Sequence, residues 1–197
     1  MLRAVLFDLD GVFVESREVW LDVMQAVARK FGYPEITAEQ IQRAWGQSIA
    51  DDRKLFYPGL TVKQLEHEYN RLFPQSTLHL IIDADGPKVV KALRACGTRI
   101  AVVTNSPAEV AGAMLDCAGI VPDALVCGTD VAASKPAPDG IRKALAMLGI
   151  RADEAIYVGD TSYDREAGRR AGIRFIGYRI DGDARIESLG EILDLLP

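Results

Sequence analysis

Histidine and cysteine are scarce: the 197 residues hold two histidines, His67 and His79, and three cysteines, Cys96, Cys117 and Cys127. Two histidines leave almost no room for a Ser-His-Asp triad and none for a zinc site built from histidine and cysteine. An odd cysteine count without C-x-x-C spacing suggests reduced, mostly buried thiols in a cytoplasmic protein. An excess of positive charge is also missing. Lysine and arginine number 23 against 28 aspartates and glutamates, a net charge of −5, with no basic run. Such a chain is a poor partner for nucleic acid or an anionic membrane surface. No apolar run approaches the ~20 residues of a spanning helix, and Asp8 interrupts the first apolar run before a secretory segment could form. If this chain is a catalyst, carboxylates do the work.

Hydrophobic residues make up 49% and charged residues 26%, enough for a packed core in one domain with a modest insertion. Short apolar runs at 3–7, 99–103, 124–127, 155–158 and 173–178 have the near-continuous hydrophobicity of strands covered on both faces. Helical patterns lie between them at 88–96, 107–118, 139–148 and 163–171, each stopped by a glycine: Gly97, Gly119, Gly149 and Gly172. This alternation predicts an α/β fold, a doubly wound, Rossmann-like parallel sheet with right-handed crossovers. About seventy residues break the alternation without a convincing strand. Val19, Val23, Val27 and Phe31 recur on one helical face, and Thr37 and Thr61 each begin a capping box with Gln40 and Gln64. The prediction is a core of residues 1–14 and 85–197 and an all-helical cap of residues 15–84. Residues 78–82 (LHLII) read either as a helix end or as a strand-like return.

Ligands of an open parallel sheet bind at the carboxyl ends of its strands. Asp8 and Asp10 follow the first strand, Thr104, Asn105 and Ser106 the second, and Asp160 and Asp164 the fourth; Lys135 lies in a proline-containing loop after the third. Asp8 and Asp10 would point the same way from an extended strand end and repel unless a cation lies between them or one holds a proton. With Asp160 they offer the oxygen ligands that Mg²⁺ takes; the same pair could also merely cap a turn. The Thr104–Pro107 stretch runs into a helix whose free N–H groups suit an anion, and it would serve equally as an ordinary serine cap. Lys135 taken alone reads as a solvated surface residue.

Four segments in order, FDLDGV (7–12), VTNS (103–106), SKPAPD (134–139) and VGDTSYDREAG (158–168), resemble the four motifs of the haloacid dehalogenase superfamily. The pattern, with its cap after the first motif, is most similar to the phosphoglycolate phosphatase and β-phosphoglucomutase group. The resemblance implies a phosphatase acting on a small phosphorylated metabolite, with Mg²⁺ as cofactor. Asp8 would be the nucleophile that becomes an aspartyl-phosphate. Asp10 would be the general acid and then the general base, its backbone carbonyl touching the metal. Thr104 and the Asn105 backbone would hold phosphoryl oxygens, and Lys135 would balance the charge. Asp160 would bind the metal directly, and Asp164 would support it from behind or through water. Gly11 would let the chain turn sharply after Asp10, and Gly159 would leave space for the metal beside Asp160.

Departures narrow the reading. Trp20 stands where the mutase branch is expected to carry a histidine, which argues against a phosphoglucomutase. Asp10 argues against the dehalogenases proper, which lack the second acid. In the cap, Trp45-Gly46-Gln47-Ser48 is the candidate specificity loop: Gly46 permits close approach, and Gln47 or Ser48 would bind the leaving group. Arg53 could pair with a substrate carboxylate. Phosphoglycolate is one candidate substrate. The alternatives are pyrophosphate hydrolysis, a sugar-phosphate mutase, and a non-catalytic phosphate binder or receiver-like phosphorylation switch. The chain is expected to be a monomer or a homodimer.

Overall fold

The computed structural model describes residues 2–195. Strand β1 (Ala4–Phe7) is followed by the two-residue strand β2 (Val14–Glu15) and the helices α1 (Arg17–Phe31), α2 (Ala38–Ala44), α3 (Ile49–Phe56) and α4 (Val62–Leu72). Strand β3 (Ile81–Ile82) leads into α5 (Gly86–Ala95), β4 (Arg99–Val103), α6 (Ala108–Ala118), β5 (Ala124–Val126), α7 (Asp139–Leu148), β6 (Ala155–Gly159), α8 (Ser162–Ala171), β7 (Arg174–Tyr178) and β8 (Ala184–Ile186).

Six strands form one sheet in the order β5-β4-β1-β6-β7-β8. All its pairings are parallel. Side chains alternate across it as the pleat requires. Val5 and Phe7 join one buried cluster with Val89, Leu93, Val110 and Met114 of α5 and α6. Ala4 and Leu6 join the other with Ile141, Leu145 and Ala167 of α7 and α8. Helices on both faces explain why the strands are almost wholly apolar. Gly119, Gly149 and Gly172 end α6, α7 and α8 in the left-handed conformation.

The helices α1–α4 occupy the long interruption. Thr37 and Thr61 both form full capping boxes with Gln40 and Gln64. Val19, Val23 and Val27 are buried on one face of α1, but Phe31, at its last position, is exposed. The chain enters and leaves this segment side by side: β2 pairs antiparallel with β3, Val14 opposite Ile82 and Glu15 opposite Ile81. The 78–82 stretch therefore does both things its sequence allows, closing a short helical turn at His79 and returning as a strand. Two of the three cysteines, Cys96 and Cys117, are exposed and only Cys127 is buried, which corrects the expectation of mostly buried thiols. Cys96 caps α5 and Cys117 falls on the outer side of α6, positions that helical phase decides rather than residue type. Among the described residues no helix is long and apolar enough to cross a membrane.

Candidate active site

Asp8 is the first residue past β1, and its N–H donates to Val158 of β6 (2.8 Å). That bond carries the sheet register one residue beyond the strand and fixes the carboxylate at the sheet's carboxyl edge. Asp8, Asp160 and Asp164 each bring a carboxylate oxygen within 4.8 Å of the others. Lys135, buried, puts its ammonium 2.7 Å from Asp8 Oδ1 and 2.6 Å from Asp164 Oδ1. Burial lowers the lysine's proton affinity, but the charges of Asp164 and Asp8 outweigh it and hold the ammonium above its ordinary range.

The acids are unevenly satisfied. Burial, then repulsion from Asp164, raises Asp8 well above the ordinary carboxylate range despite Lys135. The same two causes push Asp160 up to about 7. Asp160 Oδ1 is buried without a hydrogen-bond partner, and Oδ2 accepts only from the Trp45 indole (3.3 Å). Asp164 differs, because donors surround it. Oδ1 accepts from Lys135 (2.6 Å) and the Tyr157 hydroxyl (2.6 Å), and Oδ2 from the N–H (3.0 Å) and hydroxyl of Thr161. An orphaned buried oxygen beside a second raised carboxylate suits a hard divalent cation. Asp8 and Asp160 have coordination to offer, while the oxygens of Asp164 are already engaged with its neighbours.

Asp10 is oriented by three donors. Oδ1 accepts from Ser16 Oγ (2.5 Å) and Trp20 Nε1 (2.9 Å), and Oδ2 from Ser106 Oγ (2.8 Å). Gly11 then turns the chain at φ +79°, and a Cβ there would overlap the Asp160 carboxylate. The close approach to Asp160 is therefore made by Gly11. A Cβ on Gly159 would instead run into Asp164, so the space expected beside Gly159 belongs to that side chain.

The Thr104 hydroxyl accepts the Ser106 N–H (3.1 Å), which bends the chain between β4 and α6. The Asn105 side chain is a tie. It donates to the Gly46 carbonyl (2.8 Å) and the Lys135 carbonyl (3.0 Å) and accepts the Lys135 N–H (2.9 Å). Gly46, at φ +84°, lies so close to the core that a Cβ would come 3.0 Å from a Thr161 methyl carbon. Gln47 donates to Asp52 Oδ1 (2.6 Å). Ser48 is spent on capping α3, giving its hydroxyl to Asp51 (2.7 Å). Arg53 donates to the carbonyls of Leu60 (2.8 Å) and Pro58 (3.0 Å). It does not line the cleft, which corrects the expectation that it meets a substrate carboxylate.

Between helices and sheet lies a cleft of about 600 Å³ including its mouth. Asp8, Asp10, Thr104, Asn105, Ser106 and Lys135 face it from the core, and Trp20, Trp45, Gly46, Gln47, Asp52 and Tyr69 from the helical side. The sequence assigns no role to Ser16, Tyr157 or Asp52, places Ser106 only at a strand end or as a helix cap, and shows in Trp20 only a missing histidine. Ser16 and Trp20 lie four residues apart and so share a helix face, a signal available from spacing. Asp52 gives no such signal, because only the packing of α3 against α4 turns it inward.

The profile of the haloacid dehalogenase-like hydrolases matches residues 5–178. The phosphoglycolate phosphatase of Aquifex aeolicus is 29% identical over 180 residues, covering 88% of this chain and 83% of the relative. The pyrophosphatase PpaX of Halalkalibacterium halodurans is 27% identical over 209 residues, 99% of this chain and 97% of the relative. The crystal structure of CbbY from Rhodobacter sphaeroides in complex with phosphate superposes with a TM-score of 0.86 at 21% identity, over 98% of this chain and 96% of that one.

Proposed function

From a chain that belongs to the haloacid dehalogenase-like hydrolases, we propose a magnesium-dependent phosphatase that cleaves a small phosphomonoester through an aspartyl-phosphate on Asp8. Membership in a family of hydrolases sets aside the receiver-like switch. The observation that carries the proposal is Asp8, which lines the cleft with Asp10 and Lys135 and has a second acid, Asp160 with its orphaned buried oxygen, within 4.8 Å.

The roles follow from these positions. An Asp8 carboxylate oxygen bonds to phosphorus as the ester P–O bond breaks, and Asp10 gives its proton to the departing alkoxide. Asp10 then takes a proton from the water that releases phosphate. Ser16, Trp20 and Ser106 hold the Asp10 carboxyl still for both transfers. Thr104, the Asn105 backbone and Lys135 receive the phosphoryl oxygens. Asp8, Asp160 and the Asp10 carbonyl would hold Mg²⁺, which when bound supplies the positive charge that offsets both the raised carboxylates and the phosphate. Asp164 acts at one remove, anchoring Lys135.

The test is hydrolysis of p-nitrophenyl phosphate. Asp8→Asn should abolish turnover with an unchanged circular dichroism spectrum, and chelation should stop the wild type until Mg²⁺ is returned. Retained activity in the variant removes Asp8 from its role, and an undiminished rate after thorough chelation removes the metal.

A further inference from the structure

Among the described residues the helical wall of the cleft bears no cation. Lys135 is, among the described residues, the one lysine or arginine lining the cleft, and it stands on the core side with its ammonium already between Asp8 and Asp164. Arg17 is not on the cleft wall; its guanidinium packs 5.1 Å over the Trp45 ring and pairs with Glu15 (3.4 Å). Arg53 is bound to loop carbonyls. The wall offers instead the apolar surface of Met24, Ile41, Ala44 and Ile49, interrupted by one acid, Asp52.

Asp52 is placed to accept. Gln47 donates to its Oδ1 (2.6 Å) and the Tyr69 hydroxyl to its Oδ2 (3.1 Å). Each carboxylate oxygen can accept about two hydrogen bonds, so one site remains on each. The aromatic rings form no open box for a cation: Trp20 is packed edge-on against Tyr69 and tilted against Phe73, with centroids 5.0 Å apart in both pairs. A carboxylate or phosphate on the leaving group would meet a like charge here with no counter-ion, at the low effective dielectric of a partly closed cleft.

We propose that the helical wall selects phosphomonoesters whose leaving group is uncharged where it enters the cleft, with an apolar flank and a hydroxyl that donates to Asp52, and rejects carboxylate or phosphate leaving groups. This rests on the phosphatase reading and names the substrate class of the same site. It sets the chain apart from relatives named for phosphoglycolate and pyrophosphate, whose leaving groups are anionic.

The experiment compares kcat/KM for 2-phosphoglycolate, pyrophosphate, phosphoethanolamine and a hydroxylated neutral ester, glycerol 2-phosphate, at pH 8.5 with Mg²⁺ present, where Asp52, its carboxyl pushed by burial up to about 7, is ionised. The neutral ester should exceed both anionic-leaving-group substrates by about tenfold or more. Asp52→Asn should shift the phosphoglycolate-to-glycerol 2-phosphate ratio at least about fivefold toward phosphoglycolate, by removing the like charge. A preference for phosphoglycolate, pyrophosphate or the cationic ester overturns the inference, as does an unchanged ratio in a folded Asp52→Asn variant. If that variant does not fold, the wild-type ranking decides alone. Failure to hydrolyse any of these or p-nitrophenyl phosphate would instead sink the phosphatase reading.

Discussion

Trp20 carries more of the site than its position in the chain suggests. Its indole N–H reaches Asp10 at 2.9 Å while its ring packs on Tyr69 and Phe73. Unlike an imidazole, the indole donor does not titrate near neutrality, so it holds Asp10 equally well at every working pH. Trp20→Phe keeps the packing and loses the donor. The expected outcome is a kcat about tenfold lower with an altered pH–rate profile and a near-unchanged melting temperature. Asp52 supplies a stability prediction. Burial pushes its carboxyl up to about 7, against the hydrogen bonds of Gln47 and Tyr69 and with the help of Asp51. The folded chain thus keeps a proton that the unfolded chain releases near pH 4. The stability linked to this group is present below that pH and lost as pH rises through about 7. Screening at a half-buried site leaves roughly 1–3 kcal/mol of the full effect. Urea titrations at pH 4.5 and 7.5 should therefore show Asp52→Asn gaining on the wild type by that amount at the higher pH. The acids at strand ends were legible because sheet topology alone says where such positions meet. Asp52 was not, since one of its two partners, Tyr69, is seventeen residues away on another helix.

At the level of elements, the loop from Trp45 to Ser48 joins two short helices and is pinned at three places: Trp45 on Asp160, Gly46 on Asn105, and Ser48 on its own helix. Gly46 needs both its positive φ and its missing side chain. Gly46→Ala should cost about 1–2 kcal/mol of stability and raise KM several-fold by lifting the loop; urea titration and steady-state kinetics would show both. The long helices and their caps were readable because apolar periodicity and Thr-x-x-Gln boxes are local. The two-residue strand β2 and the three-residue strand β8 were missed, and β3 was legible only as one of two readings of residues 78–82. Two or three residues carry no period, and their pairing partners decide their conformation.

Across the whole molecule, the helical segment and the sheet share one cleft and are fastened across it by Trp20 to Asp10, Trp45 to Asp160 and Asn105 to Gly46. Each fastening ends on a residue of the proposed reaction machinery or its immediate neighbour, so closure and alignment are coupled. Asn105→Ala should loosen that coupling. Limited proteolysis should cut the loop near Gly46 faster than in the wild type, while the sheet core stays protected. Equal cleavage rates would mean the other two contacts suffice.

The β2–β3 pairing has a further consequence. Because the chain leaves the sheet and comes back through adjacent residues, with Val14 facing Ile82, everything between them hangs from a single two-stranded stem. A different set of helices could be grafted onto that stem without shifting any register in the six-stranded sheet. Evolution, or an engineer, can thereby exchange what the enzyme recognises, provided the new helices again supply the donors that Ser16 and Trp20 give to Asp10.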